Sequence, residues 1–240
     1  MKFDVIVADP PWIFSDELKM DSVKRGASSQ YSVMKNDDIA NLDVGSLTED
    51  NCVLALWVPS SLLKEGIHTM ESWGFDVKQT HIWVKVKKNP LEFLRKKNKK
   101  KPFKKLIPSI RDAKNMSLKD FYMKMCEALD DFDVEDTLSF YMGRIFRQTH
   151  ELVLVGTKGK VSSMLKDKSQ RSVHFGTVTE HSAKPEDLQD MLDIMYPGQN
   201  KLEIFARRQK HGWTCVGNEC PGKSFGEDIK DSIKRLEKEK

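Results

Sequence analysis

The stretch FDVIVADPPW, Phe3 to Trp12, decides how this chain is read. Phe3–Ala8 is a short, continuous apolar run with β-branched residues, which predicts a strand buried on both faces, as in a parallel sheet. Asp9 and two prolines then end the strand abruptly. A proline has no N–H to give, so the carbonyls of Asp9 and Pro10 are left as acceptors. In doubly wound sheets ligands collect at the carboxyl ends of strands, which is where this motif falls. A carboxylate beside a carbonyl suits an amino group carrying two N–H donors, and Trp12 offers a flat face for a planar base. A rigid exit turn with Trp12 packed in the core fits the same residues, and on them alone both readings stand.

Further strands are predicted at Cys52–Val58, His81–Lys85, Glu151–Thr157, Leu202–Ala206 and Trp213–Val216. Helical periodicity lies between them. Asp37–Leu42 is short. Ser60–Trp73 follows Pro59 with a serine as cap and sets Leu63, Ile67 and Met70 on one side. Ser182–Met195 groups Leu188, Met191, Leu192 and Met195. Strand and helix in alternation predict an α/β fold with right-handed crossovers and helices on both faces of a mostly parallel sheet.

The rhythm breaks after Val86. From Lys85 to Lys105 there are 11 Lys/Arg in 21 residues against one acid, Glu92; Glu127–Asp136 is then strongly acidic. The expected organisation is a main domain of residues 1–86 and 148–222, an insert at 87–147 with a helix at Leu118–Leu129, and a polar tail at 223–240. In the tail, Ile229, Ile233 and Leu236 are spaced for a short amphipathic helix. The 240 residues carry a net charge of only +4, so the placement of charge says more than its sum. No apolar run approaches the roughly 18 residues that span a bilayer, and the N-terminus lacks the pattern of a signal peptide, so no membrane partner is expected. Cys52, Cys126, Cys215 and Cys220 form no C-x-x-C pair and no cluster with histidine; no metal is expected, and a reduced, cytoplasmic setting is. No G-x-G-x-x-G follows any strand, which removes a nicotinamide-dependent enzyme from consideration.

ADPPW (Ala8–Trp12) resembles the signature of the MT-A70-like adenine-N6 methyltransferases, a family with the β-class, permuted motif order. The similarity continues in the family's order through Gln30–Val44, Leu54–Lys85, Arg147–Gly159, His181–Arg207 and Gly212–Glu219, most of the chain outside the insert. It implies a Rossmann-like methyltransferase fold, S-adenosyl-L-methionine as methyl donor and adenine as acceptor. Asp9 and Pro10 would accept the two hydrogens of the exocyclic amine, Pro11 would stiffen the turn, and Trp12 would stack or wall the base. Tyr31, Trp57 and Trp83 fall near the family's acceptor pocket, although for Trp57 and Trp83 core packing is an equal reading. The donor would be framed by Asp9, Ser182, Lys184, Pro185, Arg207, Asn218 and Glu219. A lysine can pair with its methionine carboxylate, and Asn or Glu can bond its ribose hydroxyls.

The resemblance also implies nucleic acid as substrate, with the adenine flipped out of any duplex. DNA is favoured over RNA, because GASSQYSVM (Gly26–Met34) looks like the bacterial and phage branch and only Met1 and Lys2 precede the first strand. That short start also predicts that the adenine end of the donor is held differently from members with long N-terminal extensions. Lys96, Lys97, Lys99, Lys100 and Lys101 are expected on phosphates. A homodimer, or a heterodimer with a related subunit, is implied by the family alone. The main alternative is a non-catalytic nucleic-acid-binding subunit, against which the intact tetrad argues.

Overall fold

The computed structural model describes residues 1–14, 33–89, 116, 117, 119, 120, 123, 134–141, 143, 145–178 and 184–239. Tyr31, Ser182 and the lysines from Lys96 to Lys101 lie outside them, as does nearly all of the helix expected at Leu118–Leu129. Seven strands form one mostly parallel sheet: β1 (Phe3–Ala8), β2 (Thr48–Val58), β3 (Asp76–Val86), β4 (His150–Lys158), β5 (Val173–Thr177), β6 (Lys201–Ile204) and β7 (Thr214–Val216). Their order is β5-β3-β4-β2-β1-β6-β7. The helices are α1 (Asn36–Ala40), α2 (Leu63–Ser72), α3 (Asp187–Met195) and α4 (Ile229–Lys238). This is the Rossmann-like methyltransferase fold. The chain divides into two compact units, one of Met1–Ile82, Glu151–Val173 and Glu186–Lys240, the other of Trp83–His150 and His174–Pro185.

In the first unit β1 pairs in parallel with β2 on one side and β6 on the other, and β6 pairs in parallel with β7. Val5, Ile6, Val7 and Ala8 are at most 2 % exposed, as a central strand covered on both faces must be. β4 is an exception within this mostly parallel sheet: it runs antiparallel to β2, from Cys52 opposite Lys158 to Val58 opposite Leu152. Its unbroken apolar run reported burial on both faces, and burial does not encode direction. β5 was not foreseen, because its apolar Val173 and Phe175 face outward, 40 % and 64 % exposed.

The helix starts differ in physical ways too. Ser60 caps nothing; Ser60–Leu62 is a single 3₁₀ turn, and α2 begins at Leu63 with no side-chain cap. Met70 from α2 is buried, whereas Leu63 is 38 % exposed. α3 begins at Asp187 rather than Ser182, consistent with Pro185 disfavouring helical backbone at the residue before it. The polar tail carries the expected amphipathic helix as α4. Asp228 caps it by accepting from the Lys230 N–H at 2.8 Å, and Ile229, Ile233 and Leu236 join the main apolar core. Trp73 ties α2 to α1, its indole N–H donating to the Ile39 carbonyl at 3.1 Å.

The second unit contains an antiparallel bridge between Val86 and Leu138 and another between Tyr141 and Gln148. Trp83, 1 % exposed, donates its indole N–H to the Gly176 carbonyl at 3.0 Å. The Lys85 ammonium lies 5.2 Å from the Trp83 ring centre and 4.3 Å from that of Tyr141.

Candidate active site

Asp9 stands at the carboxyl end of β1, where the sheet's order reverses: β2, β4, β3 and β5 follow on one side, β6 and β7 on the other. Such a reversal opens a crevice beyond the strand ends and is where doubly wound sheets bind ligands. The Asp9 N–H donates to the Ile204 carbonyl at 3.4 Å, continuing the ladder one residue beyond β1. Pro10 is buried, and its carbonyl accepts the Trp12 N–H at 2.9 Å, closing a tight turn around Pro11. The Pro11 carbonyl in turn accepts from Met34 at 3.0 Å. A carbonyl oxygen has two lone pairs, so the Pro10 oxygen retains one for another donor.

Trp12 is 4 % exposed and belongs to the core; its indole N–H donates to the Trp57 carbonyl at 2.9 Å. The last register pair of β1 with β2 is Ala8 opposite Leu56, and Trp12 occupies the next carbonyl along β2. Trp57 itself is 3 % exposed. Trp12 and Trp57 thus hold the strand end in place by packing.

Glu203 is a carboxylate that motif reading passed over. Its partner in β1 is Val7, so it lies on the same sheet face as Asp9, two residues further on. Burial pushes its carboxyl above the ordinary value of 4.5 and the Asp9 charge adds to this; the Arg208 charge and the Cys215 thiol, which donates to Glu203 at 3.8 Å, oppose it. A group raised in this way contributes stability below the ordinary carboxylate range and loses it as pH climbs through the shifted value. Glu203→Gln removes that loss. The melting temperature of the variant relative to wild type is therefore expected to rise more at pH 8 than at pH 4, by calorimetry; a difference independent of pH would contradict the assignment.

At the ends of β6 and β7 two backbone features shape a second wall. Phe205 has a φ of 67°, the left-handed region that a phenylalanine adopts only under constraint. Gly217 follows β7 so closely that a Cβ there would lie 2.2 Å from the Ala206 oxygen and 2.7 Å from its nitrogen. These bring Arg207 and Glu219 together, Nε to Oε2 at 3.7 Å, with Asn218 exposed beside them. A strand interrupted by a glutamate and a strand ending in glycine were the available signals for Glu203 and Gly217. Behind this wall α3 is pinned by Arg208 to Glu186 at 2.5 Å, Lys210 to Asp190 at 2.5 Å and the buried Lys201 to Asp193 at 3.0 Å. Trp213 also donates to Asp193, at 3.1 Å. Arg207, Asn218 and Glu219 are thus neighbours. Lys184 and Pro185 belong to the second unit, as does Trp83.

The described cysteines are unsuited to act as nucleophiles. Burial pushes the Cys52 and Cys215 thiols up to about 12 and raises that of Cys220. A thiol needs its thiolate form to attack. A thiol reagent at pH 8 is expected to label none of the three in the native protein and all of them after unfolding, as read by peptide mass mapping; rapid native labelling of Cys215 would contradict this.

The fold, with Asp-Pro-Pro-Trp at the reversal of the sheet, defines a methyltransferase of the Rossmann-like class. The sequence model of the MT-A70 family matches residues 3–134 and 117–219, and the chain belongs to that family. It is 27% identical over 238 residues to the Type II methyltransferase M.MunI of a Mycoplasma species, covering 92% of this chain and 78% of that protein. It is 30% identical over 224 residues to the human N(6)-adenine-specific methyltransferase METTL4, covering 90% of this chain and 37% of that one. Over 222 residues it is 27% identical to the N(6)-adenosine-methyltransferase MT-A70-like of Arabidopsis thaliana, covering 92% of this chain and 24% of the relative. The chain therefore spans most of the first relative and a quarter to a third or so of the other two.

Proposed function

We propose that the protein transfers a methyl group from S-adenosyl-L-methionine to the exocyclic N6 amine of adenine in nucleic acid, with DNA preferred over RNA. The observation that carries this reading is the placing of Asp9 and the Pro10 carbonyl at the carboxyl end of β1, where the sheet's order reverses. The Asp9 carboxylate accepts one amine hydrogen and the free lone pair of the Pro10 oxygen the other. Holding both draws the nitrogen lone pair out of conjugation with the ring and aims it. The rate then comes from orientation and the local field, which for well-placed groups supplies a large share of catalysis. Pro10, Pro11 and the buried Trp12 keep both acceptors fixed, so Trp12 walls the site.

The donor, when bound, supplies an electrophilic methyl on a sulfonium. The residues present fit it. Arg207 offers a guanidinium for the methionine carboxylate, while Asn218 and Glu219 offer polar groups for ribose hydroxyls, on a wall that Gly217 allows to sit close to Ala206. Ser182, Lys184 and Pro185, just before α3, complete the donor site in this reading, and Tyr31, Trp57 and Trp83 serve the acceptor side. The lysines from Lys96 to Lys101 bind phosphates. Neutralising those five is expected to flatten the salt dependence of binding to duplex DNA, since each phosphate contact adds to the slope.

The preference for DNA is supported by the likeness of the Gly26–Met34 stretch to the bacterial and phage branch. It is also supported by the match to most of the length of the Type II methyltransferase. The setting is then the cytoplasm of a bacterial or phage-infected cell, and the assembly a homodimer or a heterodimer with a related subunit, measurable by sedimentation. Competition among duplex DNA, single-stranded DNA and RNA of matched sequence tests the preference. The expected result is faster methylation of DNA; methyl transfer confined to RNA would overturn the preference and leave the reaction type intact.

A further inference from the structure

Glu203 is a carboxylate to which the proposed transfer gives no task. It is partly buried on β6, directly opposite Val7 of β1, and belongs to the same unit as Asp9. The Asp9 N–H continues the ladder to the Ile204 carbonyl, so Asp9 and Glu203 are diagonal neighbours on one face of the sheet. Strand and residue spacing set their Cα atoms about 8 Å apart. The two acids therefore share one side of the crevice beyond the strand ends.

The groups around Glu203 leave its charge in place. Directly opposite it on β7, the Cys215 thiol donates at 3.8 Å, and a thiol is a weak donor. Arg208 is the cation whose charge reaches Glu203, but its guanidinium contacts Glu186 at 2.5 Å. On α3, which lies over this face, Asp190 and Asp193 pair with Lys210 and Lys201. Among the described residues Glu203 makes no ion pair, and the Asp9 charge acts on it as a like charge. A carboxylate partly buried beside another, with its cation engaged elsewhere, is destabilising for the fold and characteristic of a site where the field is used.

We propose that Glu203 is a positioning residue that acts through Asp9, the two forming a carboxylate pair that stabilises the positive charge building on N6 and takes up the proton N6 sheds. The inference rests on the adenine-N6 reading above. As the N6 lone pair forms its bond to the methyl carbon, the methyl–sulfur bond breaks with its electrons left on sulfur, and the positive charge passes to N6. N6 then loses one hydrogen as a proton to the Asp9 carboxylate, the N–H electrons staying on nitrogen. A second negative charge beside Asp9 favours both steps, the first through the field at N6. It favours the second because a pair of neighbouring carboxylates gives up a proton only by restoring a like-charge repulsion. Both acids are only partly buried, so the proton leaves to water when the product does.

Two measurements separate the pair from the reaction it serves. The first needs no turnover. With carbon-13 in the glutamate carboxyls, and the Glu203 signal assigned by its loss in Glu203→Gln, the titration midpoint of Glu203 should fall in Asp9→Asn; an unmoved midpoint would overturn the pairing. The second is the pH profile of single-turnover methylation of unmethylated DNA at saturating donor. Wild-type protein that puts no methyl on adenine would defeat the adenine-N6 reading, and this role with it, whatever the first measurement gave. In Glu203→Gln, which keeps the shape, the acid limb should move to lower pH by about one unit and turnover above it fall about 10-fold. Glu203→Asp, which keeps the charge, should leave the limb near its wild-type pH. In an Asp9→Asn background Glu203→Gln should change the residual turnover by less than about twofold, since a residue acting through Asp9 then has nothing to act on. An unmoved limb in the folded Glu203→Gln variant, with wild-type methylation of adenine intact, would overturn the proposal. So would an equal loss in the Asp9→Asn background, or a loss confined to calorimetric donor affinity with turnover spared at saturation, either of which would place Glu203 on the donor.

Discussion

Asp9→Ala is expected to lower turnover by about 10²- to 10³-fold at saturating donor and acceptor, while calorimetric affinity for the donor stays within a few-fold of wild type. The magnitude is that of removing one group that orients and polarises a reacting atom. Alanine keeps the backbone N–H of residue 9 that donates to the Ile204 carbonyl and continues the ladder of β1. A local reporter accompanies the loss. The Asp9 charge helps hold the Glu203 carboxyl above its ordinary value, so the variant should move Glu203 back toward that value. Asp9→Asn tests the chemistry further, since an amide of the same shape can present an N–H where the amine needs an acceptor. Loss of donor affinity with turnover spared would place Asp9 on the donor instead.

Trp12→Ala is the second large effect, and it falls on stability. The ring is 4 % exposed in the main core, and its N–H serves the Trp57 carbonyl just past the end of the β1–β2 register. Truncating a buried aromatic to alanine costs about 3–5 kcal/mol, a large part of the roughly 5–15 kcal/mol that folds a domain. At about 2–4 °C per kcal/mol for a chain of this size, the melting temperature should fall by about 6–20 °C. Trp12→Phe keeps most of the packing and removes the hydrogen bond to the Trp57 carbonyl, for about 0.5–1.5 kcal/mol. A Trp12→Ala protein that melts like wild type but binds adenine poorly would make Trp12 a stacking face rather than a wall.

Much of this was legible in the residues. Phe3–Ala8 forms a strand with the bounds its apolar run predicts, because a central strand has no polar face to blur the pattern. The motif was legible because prolines stop the strand and place an aspartate at its mouth. The antiparallel course of β4 was not legible, since a strand buried on both faces reads alike in either direction. β5 escaped because its large apolar side chains point away from the sheet's cover. α4 was legible in the spacing of Ile229, Ile233 and Leu236, but that these three join the main core was not, because a polar segment does not show what its apolar stripe will meet. Glu203 needed the β1–β6 register before it could be placed beside Asp9, and Gly217 needed the close approach of Ala206.

In the proposed reaction one atom, the exocyclic nitrogen of adenine, receives the methyl group. Incubating the protein with methyl-labelled S-adenosyl-L-methionine and unmethylated DNA, then digesting to nucleosides for mass spectrometry, tests it most directly. Label is expected on N6 of deoxyadenosine, and its loss with Asp9→Ala. Label on cytosine, or no label on DNA or RNA while the donor is shown to bind, would contradict it.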